Sequence, residues 1–232
     1  MSQYTHHIPP PCEEEVSVLY ADDEVLVVEK PAGLLTVPGR FVKDSVLQRV
    51  RFEHPDAVIV HRLDLDTSGL LVISKSINAT RDLNRQFRER EVVKAYTAVV
   101  FGEVRETSGE ISLGIRPDPD NRPRQLIDNE AGKAALTRYE VLQVKDDASL
   151  LRLTPVTGRS HQLRIHLAAI GHPILGCDLY AHDDALAAAE RLLLHASSLA
   201  FAHPETGEIC EFDSPPPFQG PFKGAFKGAF SR

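Results

Sequence analysis

At 232 residues, with 42% hydrophobic and 25% charged content, the chain has the composition of a soluble globular protein with a real core, not of a disordered, fibrous or disulfide-stapled one. No apolar stretch reaches the roughly 20 residues that span a bilayer, and residues 1–15 lack the basic, apolar, small-residue order of a signal peptide, so a cytoplasmic protein without a membrane partner is expected. The net charge of −7 argues against polyanion binding over the whole surface and leaves a local Arg and Lys cluster as the only route to nucleic acid.

Residues 1–15, with two adjacent His, three consecutive Pro and three consecutive Glu, read as a loose arm. Cys12, Cys177 and Cys210 are scattered and have no metal or disulfide spacing, which makes them reduced thiols. Strands are predicted over 16–20 and 25–30, followed by a loop over 31–39 punctuated by two prolines and two glycines. Asp44 or Ser45 caps a helix whose apolar face is Val46, Leu47 and Val50. Two short apolar runs, 57–60 and 70–74, then read as buried strands holding between them His61-Arg62-Leu63-Asp64-Leu65-Asp66-Thr67-Ser68-Gly69. A polar loop fixed at strand ends is a usual place for reactive side chains.

Residues 76–90 predict a short amphipathic helix with Leu83 and Phe87 four apart and a basic stripe of Arg81, Arg85 and Arg88. That stripe either faces RNA or is paired off by Asp82, Glu89 and Glu91. A strand over 92–101 carries Tyr96 at its centre, where packing is the ordinary role of a tyrosine. The Pro-rich loop 116–125 holds three arginines that reach phosphates or pair with its own aspartates, and 136–144 with 150–155 form a hairpin. Ser160 is the expected N-cap of a helix with a buried stripe of Leu163, Leu167 and Ile170, ended by Gly171 and Pro173; Arg159 lies at its start and Arg164 one turn in. A helix over 183–191 and strands over 192–201 and 208–212 complete a single domain, 16–213. Beyond Ser214 the tail places Phe218, Phe222, Phe226 and Phe230 four apart, but Gly224 and Gly228 each cost a helix about 1 kcal/mol. The tail, 214–232, therefore reads as disordered, with stacking on single-stranded RNA as the sharper alternative.

Three chemistries compete for Asp64. Metal catalysis lacks ligands, since His161 and His166 are five apart and no cysteine or carboxylate set completes a site. Asp66-Thr67-Ser68-Gly69 suggests an aspartic protease, but the motif has one residue too many and occurs once, so a dimer would be required. The third uses a single ionised carboxylate beside an arginine, which holds the group below its ordinary pKa of about 3.9 and makes it a nucleophile or weak base but no proton donor.

His61-Arg-Leu-Asp-x-Asp-Thr-Ser-Gly69, followed in order by Thr157-Gly-Arg-Ser-His-Gln-Leu-Arg164, strongly resembles the RluA family of pseudouridine synthases. The likeness extends through 25–39, Lys94-Ala-Tyr96, 171–176 and Leu194-His-Ala196, and the stretches 83–91 and Asn121-Arg-Pro123 resemble the RluA subgroup, which has no N-terminal S4 domain. The resemblance implies an α+β fold with a mixed, mostly antiparallel sheet, flanking helices and a central catalytic cleft. It implies RNA partners, a tRNA anticodon stem-loop and a 23S rRNA hairpin, and a reaction with no task for a metal or cofactor. By the same resemblance Asp64 is the nucleophile, Arg164 pairs with it, Tyr96 stacks on the flipped uracil, and Arg62 fills the space the base leaves. His61, Arg159 and Leu163 are expected beside the substrate, although His61 is equally a hydrogen-bonded structural group. A noncatalytic RNA-binding protein is the alternative from another class, and a monomer is expected because nothing in the sequence marks an interface. Asp66 with Thr67 and Ser68 is read as shaping the turn through bonds to its backbone.

Overall fold

The computed structural model describes residues 10–218 and residue 222, and divides the chain into two compact units, each built on antiparallel strands. In chain order the elements begin with β1 (Ser17–Ala21), β2 (Val25–Lys30), α1 (Val46–Val50), β3 (Val58–Ile59), β4 (Ser68–Ser74) and α2 (Ile77–Glu89). There follow β5 (Val93–Phe101), β6 (Ser108–Ser112), β7 (Ile115–Pro117), β8 (Gln125–Ile127), β9 (Leu136–Lys145) and β10 (Ala148–Pro155). The last are α3 (Gln162–Ala169), α4 (Asp183–Ala187), β11 (Leu194–Ala202) and β12 (Ile209–Asp213). Of the described residues, one unit holds those up to Lys94 and His195–Pro216, the other Ala95–Leu194 with Pro217, Phe218 and Phe222.

In the first unit the strands lie in the order β1-β2-β4-β11, with β3 added to β4 and β12 to β11. Every pairing is antiparallel except β4 with β11, where His195 sits opposite Ser68 and Ala196 opposite Gly69. β2 and β4 are continuous apolar runs buried on both faces, which is why they read as strands without alternation. Val25, Val27, Leu70 and Val72 pack with Leu199 and Phe201 under Leu83 of α2. That helix starts as expected, with the Ser76 hydroxyl accepting from Ala79 N at 3.0 Å, and stops at Arg90 in the left-handed region, φ 62°. Its stripe is largely paired off: Arg85 bonds Asp82, Glu89 and Glu91, and Arg88 reaches Glu89. Gln86, fully buried, takes both backbone groups of Ala202, donating to its carbonyl at 2.7 Å and accepting from its N–H at 3.0 Å.

The second unit carries the strands in the order β5-β10-β9-β6, all antiparallel, with Tyr96 opposite Leu153, and a separate β7-β8 ribbon. Ile115, Ala135 and Ile165 form a core there with Ile127 and Tyr180 against it. β6, β7 and β8 were not expected from the sequence, and the 116–125 loop lies in the β7-β8 ribbon: Arg116 pairs with Asp128 at 2.6 Å, and the Arg124 guanidinium lies 5.6 Å from the Tyr180 ring centre.

The expected N-cap of α3 is corrected. His161, at φ 55°, occupies that position instead of Ser160 and offers no side-chain cap, while the Gln162 amide accepts from Arg159 N and from the Thr157 hydroxyl and so fixes the approach to the helix. Arg49 bonds the carbonyls of Cys12 and Glu14 within the supposed arm, and Ser214, Phe218 and Phe222 are buried within the supposed tail, Phe218 beneath the Arg191 guanidinium at 5.6 Å. Residues 1–9 of the arm, and Phe226 and Phe230 of the tail, lie outside the described residues.

Candidate active site

The loop His61–Gly69 bridges β3 and β4, and its backbone is held from two directions. Thr36 clamps Leu63 twice, its hydroxyl donating to Leu63 O at 2.8 Å and accepting from Leu63 N at 3.2 Å. Lys30, at the end of β2 and with no exposed surface, donates from Nζ to the carbonyls of Pro31, Leu34 and Leu65 at 2.7–2.8 Å. Gly33 N adds a bond to the same Leu65 oxygen at 2.9 Å. The residues on either side of Asp64 are therefore fixed, and Asp64 itself, half-buried, stands between them with Thr67 N closing a turn onto its carbonyl at 3.2 Å. A buried ammonium is costly unless hydrogen-bonded, so three carbonyl partners are the condition for Lys30 to lie there charged.

The exit of the loop is fixed by close backbone approach. Gly69 has φ +113°, and a Cβ built there would stand 2.3 Å from Ala196 O, so the parallel contact of β4 with β11 admits only glycine. The Ser68 hydroxyl, expected to shape the turn, meets His195 Nδ1 at 2.9 Å. His61 accepts from Val72 N at Nε2, 3.1 Å, and its ring lies 4.6 Å from that of Phe87. Burial, assisted by the charge of Lys94, lowers its pKa to about 3, so the ring is neutral with its proton on Nδ1. Its nitrogen and one face are thus committed to the fold. Arg62, by contrast, is exposed beside Asp64.

The other expected residues lie in the second unit. Tyr96 is 9% exposed on β5. Arg159 donates from Nε to Ala134 O at 3.2 Å, and Leu163 is buried in the first turn of α3. Arg164 is 3% exposed, donates to Asp178 Oδ1 at 2.5 Å and to Cys177 Sγ at 3.4 Å, and has its guanidinium carbon 5.5 Å from the Tyr180 ring centre. The Tyr180 hydroxyl accepts from Gln125 N at 2.8 Å and meets His161 Nδ1 at 2.7 Å. His61, Arg62 and Asp64 are thus brought onto one loop of the first unit, and Arg159, Leu163 and Arg164 around one helix of the second.

Lys30, Thr36, Asp178 and Tyr180 escaped the sequence reading. The first two sit inside the 25–39 segment of the family likeness, where the Lys30-Pro31 pair at the end of an apolar strand was the available signal. Among the described residues no group of three or more His, Cys, Asp or Glu side chains is placed to hold a metal ion, and no helix is long and apolar enough to cross a membrane.

Comparison with known proteins gives one consistent result. Residues 24–169 match the family described as RNA pseudouridylate synthase. The dual-specificity RNA pseudouridine synthase RluA of Escherichia coli K12 is 48% identical over 212 residues, covering 90% of this chain and 97% of that protein. The protein of the same name from Yersinia pestis is 50% identical over 198 residues, 84% of this chain and 96% of its own. Among solved structures, human RNA pseudouridylate synthase domain containing 1 superposes with a TM-score of 0.78 at 30% identity, covering 94% of this chain and 91% of its own.

Proposed function

The chain belongs to the RNA pseudouridylate synthase family, and from that premise we propose that it uses Asp64 to isomerise one uridine in a tRNA anticodon stem-loop and one in a 23S rRNA hairpin. That it is an enzyme converting uridine to pseudouridine in RNA follows from the family itself, which sets aside both the noncatalytic RNA-binding alternative and the dimeric protease. The likeness to dual-specificity relatives over nearly their whole length supports two RNA classes.

The observation that carries the Asp64 assignment is the clamp around it. Thr36 and Lys30 immobilise the carbonyls on either side of it, so the half-buried Asp64 carboxylate is presented by a backbone fixed at both neighbours. The reaction breaks the N1–C1′ bond, turns the uracil, joins C5 to C1′, removes the C5 proton and leaves a proton on N1; atoms balance without a cofactor. An ionised Asp64 serves as the nucleophile, on the base or on the ribose. Arg164, held by Asp178 and Tyr180, is the residue that the family likeness assigns as the partner of Asp64. Tyr96 stacks on the flipped uracil and assists loss of the C5 proton. Arg62, exposed on the loop, takes the place the base vacates; Arg159 and Leu163 contact the RNA around it. Flipping costs a few kcal/mol and costs least in hairpin loops, which agrees with the two substrates named. The protein acts as a cytoplasmic monomer, a state that a concentration-dependent sedimentation shift would exclude.

Tritium release tests the assignment. A hairpin carrying C5-tritiated uridine loses tritium to solvent with the wild type, and with Asp64→Asn it remains bound without release. Release by Asp64→Asn at the wild-type rate contradicts it.

A further inference from the structure

Behind the loop runs a chain of buried hydrogen bonds that the reaction does not use directly. Ser68 Oγ lies 2.9 Å from His195 Nδ1, His195 Nε2 lies 3.0 Å from Ser214 Oγ, and the Ser214 hydroxyl donates to Glu29 Oε1 at 2.9 Å. Ser68, His195 and Ser214 are each no more than 2% exposed. The direction of the chain follows from its acidic end. Because Ser214 gives its proton to the Glu29 carboxylate, its oxygen accepts from His195 Nε2–H. The other ring nitrogen, Nδ1, is then bare and accepts the Ser68 hydroxyl proton. All four groups belong to the first unit and link three strands, β2 through Glu29, β4 through Ser68 and β11 through His195, with the segment after β12.

We propose that His195, held as the neutral Nε2–H tautomer by Ser214 and Glu29, is a positioning residue that fixes the exit of the 61–69 loop through Ser68 and thereby sets the attack geometry of Asp64. The proposal rests on Asp64 being the nucleophile. Ser68 follows Asp64 by a single turn closed at Thr67, and beyond it Gly69 lies against the backbone of Ala196, so a shift at Ser68 has little room to be absorbed except toward the loop. Thr36 and Lys30 hold the near side of the loop; the histidine chain holds the far side. With Ser68 and Ser214 each 2% exposed and His195 fully buried, these groups are not open to a substrate as nucleophile and base, which separates this chain from a hydrolytic triad.

The two ring nitrogens are separable by substitution. Asn places an amide oxygen where Nδ1 stands and can accept from Ser68, whereas Gln places its amide nitrogen where Nε2 stands and can donate only to Ser214. The experiment measures the single-turnover rate on C5-tritiated hairpin RNA, RNA retention, and the folded fraction by circular dichroism for His195→Ala, His195→Asn, His195→Gln and Ser68→Ala, with Asp64→Asn alongside. Per folded molecule, His195→Ala, His195→Gln and Ser68→Ala are expected to lose about 10- to 100-fold in rate with RNA retention unchanged, the size of effect that a misplacement of about 1 Å produces. His195→Asn is expected to recover at least half of that loss on a logarithmic scale.

If Ser68→Ala equals the wild type per folded molecule, or His195→Gln equals or exceeds His195→Asn, the chain serves the fold alone and the proposal is overturned. Should His195→Ala fail to fold, Ser68→Ala and the Asn and Gln pair still decide it. Activity in Asp64→Asn would instead overturn the nucleophile assignment, a separate failure.

Discussion

Lys30→Met removes the buried ammonium under the loop while keeping an unbranched stem to fill its space. Of the three carbonyls that lose their donor, Leu65 O keeps the bond from Gly33 N at 2.9 Å, so Pro31 O and Leu34 O are the two left without it. A buried acceptor deprived of its partner costs about 1–3 kcal/mol, so the substitution is expected to cost about 2–6 kcal/mol. That is a large share of the 5–15 kcal/mol typical of a folded domain. Urea unfolding followed by circular dichroism is the assay. With a slope of about 3 kcal/mol/M for a chain of this size, the midpoint falls by about 0.7–2 M. Because Leu65 adjoins Asp64, tritium release per folded molecule falls as well. An unchanged midpoint with unchanged release would refute the reasoning, since it would mean that the ammonium neither satisfies the loop backbone nor holds it in place.

Three further outcomes follow from the same contacts. His61 has a folded pKa of about 3 against about 6.5 unfolded, so the unfolded chain takes the proton first: stability is full above about pH 6.5 and is lost as pH falls toward 3, by up to about 5 kcal/mol. His61→Gln keeps an acceptor for Val72 N and does not titrate, so thermal melts between pH 7.5 and 4 should fall less steeply than in the wild type; equal slopes would contradict the assignment. Gly69→Ala forces a Cβ to within 2.3 Å of Ala196 O at φ +113° and should cost at least about 3 kcal/mol in chemical denaturation, an effect absent if β4 and β11 part easily. Gln86→Leu leaves the N–H and carbonyl of Ala202 unmatched and should lower stability by about 2–4 kcal/mol, whereas a neutral result would show that water replaces the amide.

The sequence was most informative where one local rule decides the outcome. The Val-rich run of β2 and the apolar run of β4 are strands for the reason they look like strands, and Ser45, one of the two caps offered for α1, is its N-cap because its hydroxyl meets the backbone N–H three residues on. The two family motifs located the loop of Asp64 and the helix of Arg164. What stayed hidden depends on distant partners. β6 is a short strand with one buried residue, Ile111, and β7 ends in a proline, so neither has the pattern of a core strand. Ser160 lost the cap of α3 because the Gln162 amide, bonded also to Leu136 O and Thr137, turns the chain one residue later. Lys30 is invisible as an anchor until the 31–36 loop folds back and aims its carbonyls at one point. For Arg85 the sequence left two alternatives, RNA or the neighbouring carboxylates, and the structure holds it with Asp82, Glu89 and Glu91.

Pseudouridine mapping tests the central claim most directly. RNA from cells lacking this activity is incubated with the wild type or with Asp64→Asn, and pseudouridines are located by carbodiimide adducts that stop reverse transcription. The account predicts new stops at one uridine of a tRNA anticodon stem-loop and one of a 23S rRNA hairpin with the wild type, and none with Asp64→Asn. Stops produced equally by Asp64→Asn, or no stop in either RNA with the wild type, would contradict it.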